Sequence, residues 1–376
     1  MRQIRFFILV LLSAVFSVSL TTAPVSAQAA QTDYAPLQGI NRLSSVRSNG
    51  MGGATVALTD GFSAHRNPAQ IAFPLNRYKV YFYSSPASYT FYESDYPYTK
   101  ASLKSFKVLA SVYNDCNDRV SGYCFNVGFE YLNDHWRFAW PSYSGQYEYG
   151  ESKQNLYRAS IGFGIKHRVS MSCGVNVNWF KYVDREDYRH SVDIGFLLGL
   201  PAGLKNIEDI SPGQTNFNIY PSLGLSIQQM FLKSTNYYTF GEEITPVKRL
   251  GATMKFAWDT NDGQRKFSRF YIMPAYESRA QYGTNYMFGV ELGFYEAIQL
   301  RYGHSGIHRY QIWNSYGFSL SSNGITQLLW KNESSQSSGL KNLLMNRIDI
   351  KFEFAQNIHV GSGDNLNYFG ISLTYY

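Results

Sequence analysis

Three glycines within four residues form the spacing in this chain closest to that of a phosphate-binding loop. Gly50, Gly52 and Gly53 lie in the stretch RSNGMGGATVALTDGFSAHRNPA, residues 47–69. A dinucleotide loop needs a preceding strand, a following helix and a third spaced glycine, and a P-loop needs a lysine. The window from Gly50 reads GMGGAT, which lacks both the third glycine and the lysine. Nucleotide binding is therefore not expected, and we predict no cofactor.

The sequence gives equally little support for a metal site or for a hydrolase. His304 and His308 are four residues apart in YGHSGIHRY. The intervening Ser305 and Gly306 indicate a strand end or a loop, whereas zinc pairs at this spacing use a helix. No Gly-x-Ser-x-Gly elbow is present, which excludes a serine hydrolase of the usual α/β type. We predict no metal site, no catalytic residue and no enzyme.

Charged residues stand in runs where the neighbouring positions are bulky and apolar. They are the candidates for a polar lining of the molecule's interior: Arg158, Lys166, Asp193, Arg249, Lys255, Glu291, Arg301, Asp349, Lys351 and Glu353. The main interpretation is a network of ion pairs that holds an internal segment. The alternative is a selectivity lining for a passing solute. Both require elements that keep the charges on one face.

β-strands would keep the charges on one face, and the alternation of apolar and polar residues with period two predicts them. It is clearest in ASIGFGIK (159–166), GVNVNW (174–179), MFGVELGF (287–294) and RIDIKFEF (347–354). In each run a bulky apolar face opposes a face of Gly, Ser, Asn or charged residues, as Ile161 and Phe163 oppose Gly162 and Gly164. The pattern predicts antiparallel strands in an all-β fold.

The composition leaves two interpretations, a soluble β-sandwich and a membrane barrel, and the residues on each strand face decide between them. Aromatic residues make up 17% and charged residues only 16% of the chain, against a typical quarter for charged residues. No set of helices is predicted that could cover the apolar faces. A sheet closed with its apolar side toward lipid leaves no edge unpaired, and Tyr and Trp flank the runs as girdles do. We predict a transmembrane antiparallel barrel of about fourteen strands over residues 78–376.

The first residues have the parts of an export signal. Arg2 and Arg5 precede an apolar run, and Val25-Ser26-Ala27 offers a cleavage site, so residues 1–27 are predicted to be a signal peptide. Without the two arginines the net charge falls from +7 to +5, with no basic cluster, and nucleic acid is not an expected partner. An oxidising compartment permits a bridge between Cys116 and Cys124, but their spacing alone leaves it open.

Residues 28–77 are predicted to be an N-terminal extension and a hatch inside the barrel. Clustered glycines let one backbone pass close to another, and Asn67 before Pro68 favours an extended conformation that turns the chain. Small residues follow, so that the segment fits a confined lumen. The proposed hatch residues are Arg47, Gly50, Gly52, Gly53, Asn67, Pro68 and Ala69.

The same stretch resembles the N-terminal signature of the FadL superfamily of outer-membrane barrels, in particular its PorV/PorQ branch, associated with type IX secretion. Further motifs follow in the family's order. SVDIGFLLGLP is similar to an Asp-x-Gly strand, with Asp193 and Gly195. TPVKRLGATMKF matches at Pro246, Leu250 and Gly251, with Arg249 in place of an apolar residue. YMFGVELGFYEAIQLRYGH matches at Gly289, Glu291, Leu300, Arg301 and Gly303.

The resemblance implies a barrel of about fourteen strands with a hatch, in the outer membrane of a Gram-negative cell. The PorV branch implies a non-catalytic protein that binds or handles exported proteins or secretion-system components. The FadL branch implies the alternative, a channel for uptake of hydrophobic small molecules. Outer-membrane lipid is an expected partner in both cases.

Overall fold

In a computed structural model, the described residues are 45–58, 63–72, 78–85, 88–89, 98–114, 122–141, 147–166, 169–182, 188–199, 211, 213–232, 244–261, 266–281, 284–306, 312–330, 348–360 and 365–375. The predicted signal peptide, the extension up to residue 44, His308 and Cys116 lie outside them. Cys124 is buried in a strand.

Strands make up most of the described chain. They are β1 (Tyr78–Ser85), β2 (Ser88–Tyr89), β3 (Tyr98–Asn114), β4 (Gly122–Pro141), β5 (Tyr147–Lys166), β6 (Ser170–Tyr182), β7 (Tyr188–Gly199), β8 (Thr215–Met230), β9 (Val247–Asn261), β10 (Lys266–Ala280), β11 (Thr284–Phe294), β12 (Ile298–Gly306), β13 (Ile312–Ser321), β14 (Ile348–His359) and β15 (Asn365–Tyr375). The four runs with the clearest alternation fall in β5, β6, β11 and β14.

The sheet closes on itself. Successive strands pair antiparallel, and β1 pairs with β3 from Tyr78↔Ala110 onward and with β15 from Tyr78↔Tyr375 onward. The two-residue β2 only extends the pairing at the start of β3. The other fourteen strands form one barrel without an open edge, which confirms the predicted fold class and strand number.

The outer surface is the apolar face that the alternation predicts. On β5, Ile161, Phe163 and Ile165 point outward and are 40–52% exposed, while the intervening Gly162 and Gly164 are buried. The last strand behaves in the same way, with outward residues Phe369, Ile371, Leu373 and Tyr375. A closed barrel with such an exterior spans a membrane, because a continuous surface of large apolar side chains is stable in contact with lipid.

Three short helices accompany the strands within the part of the chain that the structure describes. α1 (Val46–Gly50) and a 3-10 helix (Pro68–Ala72) belong to the segment before β1, and α2 (Ser322–Trp330) follows β13. Neither described α-helix has the length and hydropathy needed to cross a membrane. Since α1 and the 3-10 helix are almost fully buried and contact strands on several sides of the barrel, this segment lies in the lumen.

The two ends of the barrel differ. We call the end where β1 begins and β15 ends the terminal end, and the other the opposite end. Strands β4 and β5 are each 20 residues long and pair over their whole length, from Gly122↔Lys166 to Pro141↔Tyr147. A tilted membrane span needs only ~9–11 residues, so this wall, with β3 beside it, projects beyond the apolar band at the opposite end.

Candidate functional site

The candidate site is the hatch, described over residues 45–58 and 63–72, together with the inner wall that it contacts. Its first piece starts with Ser45, whose side chain accepts a hydrogen bond from the Ser48 N–H at 3.4 Å and so caps α1. After α1, Gly52 and Gly53 have positive φ values of 62° and 88°. That conformation favours glycine, and it turns the chain inside the lumen.

Rows of glycine on the wall let the hatch backbone approach the strands. Gly162, Gly174 and Gly195 are direct cross-strand neighbours on β5, β6 and β7. A Cβ at Gly174 would lie 2.3 Å from the Pro68 carbonyl oxygen, and one at Gly195 would lie 2.0 Å from Asn67 Oδ1. No side chain fits between these backbones, so the row defines where the second piece of the hatch sits.

Glu277 on β10 anchors the first piece of the hatch. Its Oε2 accepts the backbone N–H groups of Thr55 and Val56, both at 2.9 Å. Its Oε1 accepts Arg249 Nη1 at 2.8 Å and lies 4.0 Å from Arg66 Nη1. Burial lowers the pKa of the Arg66 guanidinium well below its usual value, with the charge of Arg249 acting in the same direction and that of Glu277 opposing it. One carboxylate therefore balances two buried guanidinium groups and holds a hatch turn.

Glu291 on β11 is a second anchor. Arg47 of the hatch binds it through two hydrogen bonds, Nη2 to Oε1 at 2.7 Å and Nε to Oε2 at 2.9 Å. Arg301, its cross-strand neighbour on β12, donates from Nε to Oε2 at 2.7 Å and reaches Glu353 Oε1 at 3.4 Å from Nη2. Lys351 Nζ lies 3.6 Å from the same Glu353 oxygen. Four of the charged residues singled out in the sequence thus form one buried network around Arg47.

Neutral side chains hold the second piece of the hatch. Asn67 is fully buried and donates from Nδ2 to the carbonyl oxygens of Val56 at 2.7 Å and Phe196 at 3.0 Å. Its Oδ1 accepts the Ala69 N–H at 3.1 Å. Asn67 therefore joins the two pieces of the hatch to each other and to β7. The wall adds hydrogen bonds to hatch carbonyls from Asn126, Ser172, Asn176, Ser222, Ser226 and Gln228.

Asp193 lies where the pairing of β7 with β8 is interrupted. The register shifts between Val192↔Met230 and Ile194↔Ile227. Asp193 Oδ1 accepts the N–H of Gln229, which has a positive φ of 63°, at 2.9 Å. A buried carboxylate thus binds the backbone N–H of Gln229 at this register shift, two residues along β7 from the hatch contact at Gly195.

Arg158 belongs to a third buried group, on β3 to β6. Its Nη1 lies 2.6 Å from Glu130 Oε2, and its Nε donates to Asn178 Oδ1 at 2.6 Å. Lys107 Nζ lies 3.3 Å from Glu130 Oε1. These groups line the wall between the level of the hatch and the opposite end.

Three of the proposed lining residues have other surroundings. Lys255 faces inward with its ammonium group 4.4 Å from the ring centre of Tyr271, a cation–π contact and not an ion pair. Lys166 is half-buried at the terminal end of β5. Asp349 does not line the lumen network: its Oδ1 accepts hydrogen bonds from Ser321, Ser322 and Asn323 and fixes the start of α2 at the rim.

The inner wall also carries an apolar row, which contradicts the expectation that small and polar residues line the whole interior. Leu132, Leu156 and Phe180 are direct cross-strand neighbours on β4, β5 and β6, and each is only 2% exposed. They belong to one buried apolar cluster with Leu103 and with Ile71 of the hatch. The row lies toward the opposite end, beyond the layer of Arg158 and Glu130.

Among the described residues, no group of three or more His, Cys, Asp or Glu side chains could hold a metal ion. His304 lies on the outer surface, where Nδ1 is 2.9 Å from Asn314 Oδ1.

Sequence reasoning missed Glu277, Glu130 and the apolar row. Glu130 and Glu277 both occupy inward positions of strands, so alternation alone could have found them. In MPAYESRA, however, Pro274 and Ala275 blur the alternation around Glu277. The inward Leu132 and Leu156 gave no signal, because an apolar residue in a strand of a predicted barrel is assigned to the lipid side.

Comparison of the sequence with protein families and with curated proteins finds no match. Solved structures of similar architecture include the toluene transporter TodX of Pseudomonas putida, with 12% identity over 87% of this chain and 96% of that chain and a TM-score of 0.40. A Pseudomonas aeruginosa FadL homologue has 11% identity over 88% and 98% of the two chains, with a TM-score of 0.40. The transport unit of the autotransporter AIDA-I from Escherichia coli has 12% identity over 80% and 89%, with a TM-score of 0.42. Values this low carry no functional information and do not separate the FadL-type from the PorV-type branch.

Proposed function

We propose that the chain is an outer-membrane barrel, delivered by a cleaved signal peptide at 1–27, that takes up hydrophobic small molecules past a hatch formed within residues 28–77. The observation that carries this proposal is the inward apolar row of Leu132, Leu156 and Phe180. A second inward apolar cluster lies on β9 to β11 and packs against Met51 and Leu58 of the hatch, whereas this row lies beyond the charged layer of Arg158 and Glu130. These side chains are only 2% exposed, so an apolar solute would bind there by displacing the groups that cover them, and the burial of its surface is worth ~25 cal/mol per Å².

The hatch directs the route of such a solute. Glu277, Glu291 and Asn67 hold it across the lumen, so a straight passage along the barrel axis would require breaking buried ion pairs. The interrupted β7–β8 pairing at Asp193 lies beside the hatch contact at Gly195. We therefore propose that the solute leaves sideways between these two strands toward lipid.

Binding of a fluorescent fatty-acid analogue to the purified barrel in detergent tests the proposal. Leu156→Asn should weaken binding at least tenfold, because it places an amide in the apolar row. Met273→Asn makes a similar exchange in the other inward apolar cluster, which includes Met51 and Leu58 of the hatch, and should change affinity less than twofold. Equal binding by wild type and Leu156→Asn would contradict the proposal, provided that both variants keep the heat-modifiable migration of a folded barrel.

The PorV-type function, binding of exported proteins or secretion components, is the second candidate. The firmly anchored hatch favours it, since a closed lumen suits a protein that acts by binding at its exposed loops. Under this function, gene deletion should leave secreted cargo in the periplasm and growth on hydrophobic substrates unchanged. Under hydrophobic uptake the two outcomes are reversed, so one deletion strain distinguishes them.

A further inference from the structure

The outer surface of β3 to β6 carries a basic patch at the opposite end of the barrel. On the membrane side of the patch, an aromatic row crosses these strands through the pairs Phe106↔Tyr131, Tyr131↔Tyr157 and Tyr157↔Trp179. Tyr131 and Tyr157 are 5.3 Å apart between ring centres. Aromatic rows of this kind mark the boundary between hydrocarbon and head groups.

The basic residues lie directly beyond that boundary. The next outward row reads Lys104↔Asn133, Asn133↔Asn155 and Asn155↔Lys181, and the following row contains His135↔Lys153. Four strands at ~4.8 Å spacing place Lys104 and Lys181 about 14 Å apart. Neither row contains an acidic residue.

The amides between the lysines are held in place. Asn133 Nδ2 donates to Asn155 Oδ1 at 2.8 Å, and the hydroxyl of Tyr131 donates to the same oxygen at 3.0 Å. The patch therefore lies on paired strands, and its amide groups are fixed by hydrogen bonds to each other and to the aromatic row. A set of lysines on a loop would lack this support.

The distribution of outward lysines is one-sided. Among the described outward positions, the terminal end carries apolar and aromatic residues such as Tyr123, Ile165 and Met171 and no lysine. At the opposite end, the outward lysine outside the patch is Lys248 on β9, which pairs with Ile227 and Ala280. Positive charge is thus concentrated on one sector of one membrane interface.

We propose that this patch, formed by Lys104, His135, Lys153, Lys181, Asn133 and Asn155, binds the phosphate groups of a glycolipid head group in the outer leaflet. Lysine ammonium groups bind phosphate as point charges, and the two amides can donate to its remaining oxygens. The inference rests on the proposed outer-membrane location, with the terminal end toward the periplasm. It is independent of the solute or protein that the lumen or loops handle.

Binding of purified, phosphorylated lipid A to the full-length mature protein in nanodiscs of uncharged lipid tests the inference. Each lysine near an anionic surface contributes about a fivefold gain in affinity. The triple variant Lys104→Gln, Lys153→Gln, Lys181→Gln should therefore bind lipid A on the order of 100-fold more weakly. The triple exchange to Arg should bind within about threefold of wild type, because it keeps the charge.

Lys248→Gln is the matched control, as it removes an outward lysine at the same end outside the patch, and it should leave affinity within twofold. Dephosphorylated lipid A should bind wild type as weakly as phosphorylated lipid A binds the triple Gln variant. The inference is overturned if the triple Gln variant retains wild-type affinity, if Lys248→Gln weakens binding as much, or if removing the phosphates changes nothing. The fatty-acid analogue should bind the triple variant normally, which separates this test from that of the proposed function.

Discussion

The two pieces of the hatch are held in the lumen by different chemistry. Residues 45–58 are fixed by carboxylates of the wall, with Glu291 on Arg47 and Glu277 on the backbone at Thr55 and Val56. Residues 63–72 are fixed mainly by neutral hydroxyl and amide groups, and wall glycines pack closely against both pieces, as Gly224 does against Val56 and Gly174 against Pro68.

The difference determines what a single substitution costs. A buried carboxylate that balances guanidinium groups cannot be removed without leaving their charge uncompensated, which costs about 3–5 kcal/mol. A neutral hydrogen bond contributes about 1 kcal/mol. Beyond the close glycine packing that both pieces share, the first piece is therefore anchored at few points by strong contacts and the second at many points by weak ones.

Glu277→Gln should have the largest effect on the hatch. It removes the carboxylate charge that contacts both Arg249 and Arg66 and should lower the free energy of unfolding by about 3–5 kcal/mol. Urea unfolding of the barrel in lipid measures this. Glu296→Gln makes the same exchange in the turn between β11 and β12 and should cost less than about 1 kcal/mol; equal losses in both variants would show that Glu277 is no anchor.

Gly174→Ala should come next, because it tests the close packing of the second piece against the wall. The added Cβ would lie 2.3 Å from the Pro68 carbonyl oxygen, and such overpacking costs about 1–3 kcal/mol. The displaced segment should become open to trypsin after Arg66, which mass spectrometry detects. Gly306→Ala is the control, since nothing lies within 4 Å of its added Cβ; if Gly174→Ala resists trypsin as well as this control does, the glycine row does not position the hatch.

Arg47→Met should cost about 1–2 kcal/mol, less than the loss of Glu277, because Glu291 keeps Arg301 as its partner and Arg47 is partly exposed. A double-mutant cycle with Glu291→Gln in urea unfolding measures the coupling between Arg47 and Glu291. A coupling energy near zero would mean that the bidentate pair holds nothing.

Asn126→Ala should cost about 2 kcal/mol, below the loss expected for Glu277→Gln, since it removes two neutral hydrogen bonds to the Ile71 and Ala72 carbonyls. Asn314→Ala on the outer surface is its control in the same unfolding experiment. A loss as large as that of Glu277→Gln would erase the distinction between the two pieces.

Alternation in the sequence was sufficient to predict the barrel, because lipid imposes the same apolar face on every strand. It was sufficient for the same reason to place Arg158, Glu291 and Arg301 on the inner face. In β4 and β5 the phase of the alternation inverts beyond Tyr131 and Tyr157: polar residues face outward and leucines inward. The solvent outside changes there from hydrocarbon to head groups, and a sequence pattern does not mark the height of that boundary.

Partners within the lumen could not be predicted from the pattern. Asp349 occupies an inward position of β14 like Lys351 and Glu353, yet it lies at the rim and fixes α2. Which inward charges meet the hatch depends on strand register and on the height of each residue in the barrel. Neither quantity follows from alternation, which reports only the face.

The order of segments along the chain has a consequence for biogenesis. The hatch precedes β1, yet it is enclosed by strands from β4 around to β15. For the native state to form, the stopper therefore has to enter before the first and last strands pair, and insertion into the bilayer becomes coupled to the capture of a segment synthesised earlier. A chain in which that capture fails would close around Glu277 and Glu291 with their hatch partners missing.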